Sequence, residues 1–219
     1  MLLDLLLPRR CVVCSLPGAT VCPWCTASLP RLAGTLCARC GAPVAWPVER
    51  CRECAGRRLA FASARAGVEY DPAVRALVSA WKERGLRGLA ALAASVVVEV
   101  VPPPDGQLIT FVPADGDRSV RRGHHPPARF ARELGERWGL PVEPLLGRTG
   151  PLRPQRGLAR DERRRNVQGA FRARAAAGPV VLVDDVYTTG ATVSAAASAL
   201  RRAGAVRVHV ITFARAARR

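Results

Sequence analysis

The chain has 219 residues, 49% of them hydrophobic, which supports one good-sized core and a small extra module but not three domains. Its formal charge is +17, and of the 34 basic residues only Lys82 is lysine. Clustered arginine neutralises nucleic-acid phosphates, but a chain this rich in Ala, Gly and Pro would carry Arg on any surface, so charge alone does not make it a nucleic-acid binder.

The N-terminal stretch MLLDLLLPRR has no basic start, too short an apolar run and no small-residue cleavage pattern, so it does not read as an export signal and a cytoplasmic setting is expected. Eight cysteines follow within the first 54 residues as four C-x-x-C pairs: Cys11/Cys14, Cys22/Cys25, Cys37/Cys40 and Cys51/Cys54. Two thiolates two residues apart turn inward from one knuckle and fill two corners of a tetrahedron. Four knuckles therefore supply two four-sulfur Zn²⁺ sites, a reading preferred to disulfides in a reducing compartment. Sequential pairing would join Cys11, Cys14, Cys22 and Cys25; cross-braced pairing would join Cys11, Cys14, Cys37 and Cys40. The spacing does not choose between them. Loaded sites lower the net charge by about four, leaving the protein basic. Trp24 and Trp46 lie among the knuckles, where tryptophans more often fill the small core of a metal-dependent module than stack on bases.

Beyond Cys54 the pattern becomes α/β. YDPAVRALVSAWKERG carries Asp71 as an N-cap, Pro72 at the first helical position, Val74, Leu77, Val78 and Trp81 at helical spacing, and Gly85 as a stop. LAALAASVVVEVV is the most apolar stretch, but it contains Glu99 and stops at Pro102, so no membrane span is expected. QLITFVP and PVVLVDDV are short apolar runs bounded by turn residues, as buried parallel strands are. PPARFARELGERWG reads as an amphipathic helix, GATVSAAASALRRAG as a small-residue helix, and AVRVHVITF as a last strand. Strands alternating with helices through short connections predict a doubly wound parallel sheet. Residues 1–58 are assigned to the zinc module and 59–219 to the α/β domain.

The end of the PVVLVDDV strand carries the chemistry. In an open α/β sheet the ligand lies beyond the carboxyl ends of the strands, which puts Asp184 and Asp185 in the crevice where Thr188 to Thr192 lead into a helix. A helix N-terminus with free N–H groups, a close-approaching glycine and flanking hydroxyls cradles a phosphate without lysine. Carboxylates beside it accept hydrogen bonds from sugar hydroxyls or hold Mg²⁺. The bland alternative, a plain strand-end turn, leaves the threonines unexplained.

VLVDDVYTTGAT resembles the PRPP signature of type I phosphoribosyltransferases. The order of four knuckles, a K-x-R-G element at Lys82 to Gly85, PQRGLARDERRRNVQGAF from Pro154 to Phe171, and this signature is similar to the ComF/GntX family. The rare residues Lys82 and Asn166, the only Lys and the only Asn, both fall inside those motifs. The resemblance implies a type I phosphoribosyltransferase fold, a parallel sheet flanked by helices, behind a double zinc ribbon. It implies that Asp184, Asp185, Val186, Tyr187, Thr188, Thr189, Gly190, Ala191 and Thr192 bind PRPP with Mg²⁺, the two aspartates holding the ribose hydroxyls. Lys82, Arg121 and Arg122 are the candidates for the pyrophosphate, which an acceptor would displace from C1′. Thr188 stands where purine-salvage relatives carry Asp, which argues against an ordinary purine acceptor.

The stretch VPADGDRSVRRGHHPPARFA departs from the family by placing His124 and His125 where an aromatic residue and Asn are usual. The pair reads either as solvated residues ahead of Pro126 or as a proton-transfer or substrate contact. RDERRRN alone would be a solvated helix face; with the resemblance it is expected to form a mobile hood over the site. The resemblance also implies a non-catalytic alternative, an accessory protein binding single-stranded DNA or a DNA-uptake helicase.

Overall fold

The computed structural model describes residues 9–114, 125–149 and 169–217. Among the described residues of the ribbon region lies one short helix, α1 (Pro23–Ala27). The α/β region runs β1 (Ser63–Glu69), α2 (Pro72–Glu83), α3 (Leu89–Val100), β2 (Leu108–Phe111), α4 (Pro126–Trp138), β3 (Leu146–Arg148), β4 (Phe171–Ala173), β5 (Pro179–Tyr187), α5 (Ala191–Arg202) and β6 (Arg207–Arg215). Four strands make one parallel sheet in the order β1-β6-β5-β2, and β3 pairs with β4 in a separate antiparallel ribbon.

Local signals explain most of these elements. Asp71 caps α2 by accepting from the Val74 N–H at 2.8 Å, Pro72 sits in its first turn, and Gly85 follows it. Helix α4 starts at a proline pair and ends where Gly139 takes the left-handed conformation. Strand β5 is buried on both faces, as an interior parallel strand must be. Val180 and Leu182 join the apolar cluster under α5, while Val181 and Val183 join the cluster of α2, α3 and α4. Trp81 anchors that second layer, edge-on to Phe130 at 5.9 Å and to Phe213 at 6.4 Å. Helices therefore cover both faces, as the alternating pattern predicts.

Besides the short elements α1, β3 and β4, two longer ones carried no clear signal. Helix α3 is the stretch noted above only for its apolarity; it is buried against the sheet, with Leu89, Ala93, Val96 and Val97 enclosed. Strand β1 reads SARAGVE, too poor in large apolar residues to stand out, because α3 packs so close at Gly67 that an added Cβ would lie 2.8 Å from Val97 Cγ2.

The cysteines settle their own pairing. Cys11, Cys14, Cys22 and Cys25 form one cluster and Cys37, Cys40, Cys51 and Cys54 the other, so the knuckles pair sequentially. Sulfurs bound tetrahedrally at 2.3 Å stand about 3.8 Å apart. The Cys14–Cys22 and Cys37–Cys54 separations are 3.7 Å and Cys40–Cys51 is 3.5 Å, all far beyond a disulfide bond. Backbone N–H groups aim at the sulfurs, Cys22 at Cys11 and Cys51 at Cys37, as thiolate ligands require. Both sets fit Zn²⁺.

The tryptophans correct an expectation. Trp24 is 80% and Trp46 69% exposed, whereas Cys11, Cys25, Cys37, Cys40 and Cys54 are buried. Nor is the second ribbon a free-standing core: Cys37, Cys40 and Cys54 belong to the same apolar cluster as Val180, Leu182 and Leu200.

Purified protein should hold two zinc ions per chain, and chelation should lower the melting temperature of the α/β region as well as the ribbons. Metal analysis with melting followed at Trp81 checks this. Less than half an equivalent of zinc, or an α/β melt untouched by chelation, would contradict it.

Candidate functional site

The carboxyl end of β5 is where the two helical layers meet. Asp184 lies in register with Thr212 of β6, and the next residue, Asp185, is nearly enclosed. Lys82, in the last turn of α2, donates from Nζ to Asp185 Oδ1 at 2.7 Å. The chain's single lysine thus meets one of its adjacent carboxylates across 103 residues of sequence.

Asp184 has no such lysine. Its Oδ1 accepts from the Asp185 N–H at 2.9 Å. Burial, followed by the neighbouring Asp185 charge, pushes its carboxyl up to about 7, against the pull of Lys82 and Arg148. One carboxylate is therefore held as part of an ion pair while its neighbour titrates near neutrality. Two adjacent positions on one strand reach opposite faces of the sheet, which is why their surroundings differ.

The turn after the aspartates is shaped by Tyr187 and Gly190. Gly190 takes φ +71° and rests on the Tyr187 hydroxyl so closely that a Cβ would collide with it, so both its conformation and its space demand glycine. Burial raises the Tyr187 phenol to about 12, keeping it neutral. The Ala191 N–H reaches Thr189 Oγ1 at 3.3 Å, and the N-cap Gly190 brings no capping side chain to α5. The first turn of α5 therefore presents its N–H groups beside the hydroxyls of Thr188, which is exposed, and of half-buried Thr189 and Thr192. Val186, half-buried, stays in the sheet opposite Ala214.

Of the expected site residues, the structure brings together Lys82, Asp184, Asp185 and Tyr187 through Thr192. Arg121, Arg122 and His124 lie outside the described residues, as do residues 154–168 with Asn166. His125 packs edge-on to Phe111 at the end of β2, with ring centroids 5.3 Å apart.

Three arginines gained no notice in the sequence. Arg148 donates from Nε to the Pro113 carbonyl at 3.0 Å, stacks over Phe171 and acts on Asp184. Arg57, three residues past the last knuckle, donates to the Thr189 carbonyl. Arg215 ends β6 over the Tyr187 ring. Among 33 arginines only position in the fold distinguishes them.

A family model described as the double zinc ribbon domain matches residues 2–55. DNA utilization protein YhgH of Salmonella typhi is 30% identical over 222 residues, covering 94% of this chain and 96% of that protein. Competence protein F of Haemophilus influenzae is 31% identical over 116 residues, 50% of this chain and 51% of that protein. Among solved structures, orotate phosphoribosyltransferase from Aeropyrum pernix overlays with a TM-score of 0.36 at 22% identity, covering 67% of each chain, a likeness too partial to decide anything here. The motif order, the two four-cysteine clusters and the end-to-end similarity to YhgH agree: the chain belongs to the ComF/GntX family.

Proposed function

We propose that the β5 strand end binds PRPP, with Mg²⁺, and that the chain acts as a phosphoribosyltransferase on an acceptor still to be identified. The observation that carries this reading is the pairing of Asp184 and Asp185 with the Thr188 to Thr192 turn, a diol acceptor joined to a phosphate cradle.

In this reading Asp184 and Asp185 accept hydrogen bonds from the 2′ and 3′ hydroxyls of the ribose. Lys82 holds Asp185 in place through their 2.7 Å ion pair. The 5-phosphate takes the N–H groups of the first turn of α5 and the threonine hydroxyls. Arg121, Arg122 and Lys82 are assigned to the pyrophosphate. Mg²⁺, when bound, neutralises the charge that develops on the leaving group. Pyrophosphate departs with the electron pair of the C1′–O bond as the acceptor attacks C1′.

A second reading is favoured by a separate observation. Trp24 and Trp46 are exposed large aromatics on a chain of formal charge +17, the combination that stacks bases and neutralises phosphates of single-stranded nucleic acid. The names of the relatives, DNA utilization protein and competence protein, are in keeping with it. In this reading the protein is an accessory to DNA handling in the cytoplasm, and a DNA-uptake helicase is a candidate partner. Both readings keep the PRPP site.

Three outcomes are expected. PRPP with Mg²⁺ should raise the melting temperature of the wild type, since ligand at a hundred times its dissociation constant adds about 2.7 kcal/mol. Asp184→Asn combined with Asp185→Asn should abolish that shift and leave two zinc ions in place. A wild type that does not respond to PRPP with Mg²⁺ contradicts the reading.

The second outcome concerns pH. Asp184 titrates at about 7 in the folded chain against 3.8 ordinarily, so between those values the folded state binds the extra proton. Its contribution to stability is complete below about 4 and disappears as pH rises through 7. Asp184→Asn removes that loss, so its melting temperature relative to ligand-free wild type should climb between pH 5 and pH 8. A constant difference over that range would show that Asp184 titrates normally.

The third outcome is that single-stranded DNA binding falls by orders of magnitude between about 50 and 200 mM salt and weakens when Trp24 and Trp46 are changed to Ala. Fluorescence anisotropy reads both effects. Affinity that is flat with salt, or indifferent to the tryptophans, removes the nucleic-acid reading.

A further inference from the structure

The two zinc sites dock on the α/β region in different ways. The segment after the first runs along the outer edge of β1: Arg31 bridges Val68, the Leu32 N–H donates to the Gly67 carbonyl at 2.9 Å, and the Glu69 N–H donates to the Pro30 carbonyl at 2.8 Å. Arg31 also pairs with Glu99 of α3 at 2.9 Å. None of these contacts reaches the turn at Thr188 to Thr192.

The second site does reach it, by two routes. Directly, Arg57 donates to the Thr189 carbonyl, and the Ala60 N–H donates to Ser194 Oγ in the first turn of α5 at 3.1 Å. Indirectly, buried Arg215 donates to the Cys40 carbonyl at 3.3 Å, to Cys40 Sγ at 3.8 Å and to the Glu53 carboxylate at 2.7 Å. The same guanidinium lies 5.3 Å from the centre of the Tyr187 ring. Phe61 holds that ring from another side, edge-on at 6.3 Å. Gly190 in turn rests on the Tyr187 hydroxyl, which is buried and has no hydrogen-bond partner among the described residues. Cys40, Arg215, Tyr187 and Gly190 thus form one contact path from a sulfur of the second cluster to the glycine of the turn.

We propose that the second zinc site, Cys37, Cys40, Cys51 and Cys54, sets the conformation of the Thr188 to Thr192 turn, with Arg57 and Arg215 as positioning residues, so that metal occupancy there controls affinity for a sugar phosphate. A zinc-bound thiolate is a lasting anionic acceptor for Arg215, and a knuckle whose two sulfurs are tied to the ion keeps Arg57 in place at Thr189. Without the ion nothing ties the four sulfurs together, the knuckles separate, and both arginines lose their anchorage. The first site, lacking such contacts, stabilises the chain without tuning the turn. The choice of ligand rests on the PRPP reading; the control of turn conformation does not.

The test uses full-length, zinc-loaded protein and three variants: Arg57→Ala, Arg57→Lys, and Arg31→Ala as the control at the first ribbon. Amide hydrogen exchange over residues 187–194 is measured without ligand, together with zinc content and the PRPP dissociation constant. Arg57→Ala should keep both zinc ions, speed exchange in that segment and weaken PRPP binding, each by about tenfold. Arg57→Lys should recover part of both effects, and Arg31→Ala should change neither. Unchanged exchange in Arg57→Ala, or an equal effect in Arg31→Ala, overturns the proposal. If wild type fails to bind PRPP while the exchange pattern holds, the ligand assignment falls and the control of the turn stands.

Should Arg57→Ala shed metal, the wild type supplies the reciprocal measurement. Saturating PRPP, or inorganic phosphate if PRPP does not bind, should tighten one of the two zinc sites, so that a chromogenic chelator must reach a higher concentration to withdraw that ion at equilibrium, because coupling between two binding sites acts equally in both directions. Equilibrium removal of both ions at chelator concentrations unaffected by either ligand counts against the proposal.

Discussion

Two carboxylates on consecutive residues of a buried strand impose the constraint around which this protein is arranged. Like charges at that spacing destabilise each other, and a parallel strand enclosed on both faces gives them little water. The fold answers with two unequal environments. Asp185 meets Lys82, the one compact ammonium in the chain, delivered by a helix that the Asp71 cap and the Trp81 anchor hold in place. Asp184 keeps a backbone hydrogen bond and a carboxyl that titrates at about 7. A folded chain that tolerates such a pair has given up stability there, and sites that do so are commonly functional.

The ribbons close two different parts of the α/β region. An open four-stranded sheet leaves an exposed edge at β1, which the segment after the first zinc site covers. On the face of α5, the second ribbon adds Cys37, Cys40 and Cys54 to the apolar cluster under β5. The pair Arg215–Glu53 illustrates the energetics. Burial works against the guanidinium charge, and the carboxylate beside it overcomes that penalty, so Arg215 titrates above its usual range. Breaking such a pair would leave a buried charge uncompensated.

Most elements were legible because their signals are local. Asp71 with Pro72, the proline pair that opens α4, Gly139 after it, and the apolar runs of β5 and β6 all read correctly, and the Asp–Asp–Thr pattern located the candidate site. The chain of knuckles predicted both metal clusters but not their pairing, which depends on how two ribbons pack. Helix α3 was hidden because enclosure leaves no polar face to mark its period, and β1 because a close helix contact favours Gly and Ala over large strand formers. Lys82 and Asp185 were each singled out, yet their 2.7 Å contact joins residues 103 apart and is a product of tertiary structure. Arg57 and Arg215 had no signal at all in a chain where arginine is the default cation. Trp24 and Trp46 were misjudged because sulfur clusters need less apolar filling than an ordinary small core.

Central to the proposed function is that the β5 end serves as a joint site for a diol and a phosphomonoester. Calorimetric titration of the zinc-loaded protein with ribose 5-phosphate, and separately with ribose, tests this without reference to any acceptor or to turnover. The account predicts saturable one-to-one binding of ribose 5-phosphate, at least tenfold tighter than that of ribose, because a charge-assisted phosphate contact is worth at least one decade in affinity. Equal affinity for the two sugars, or no heat from either, would contradict it.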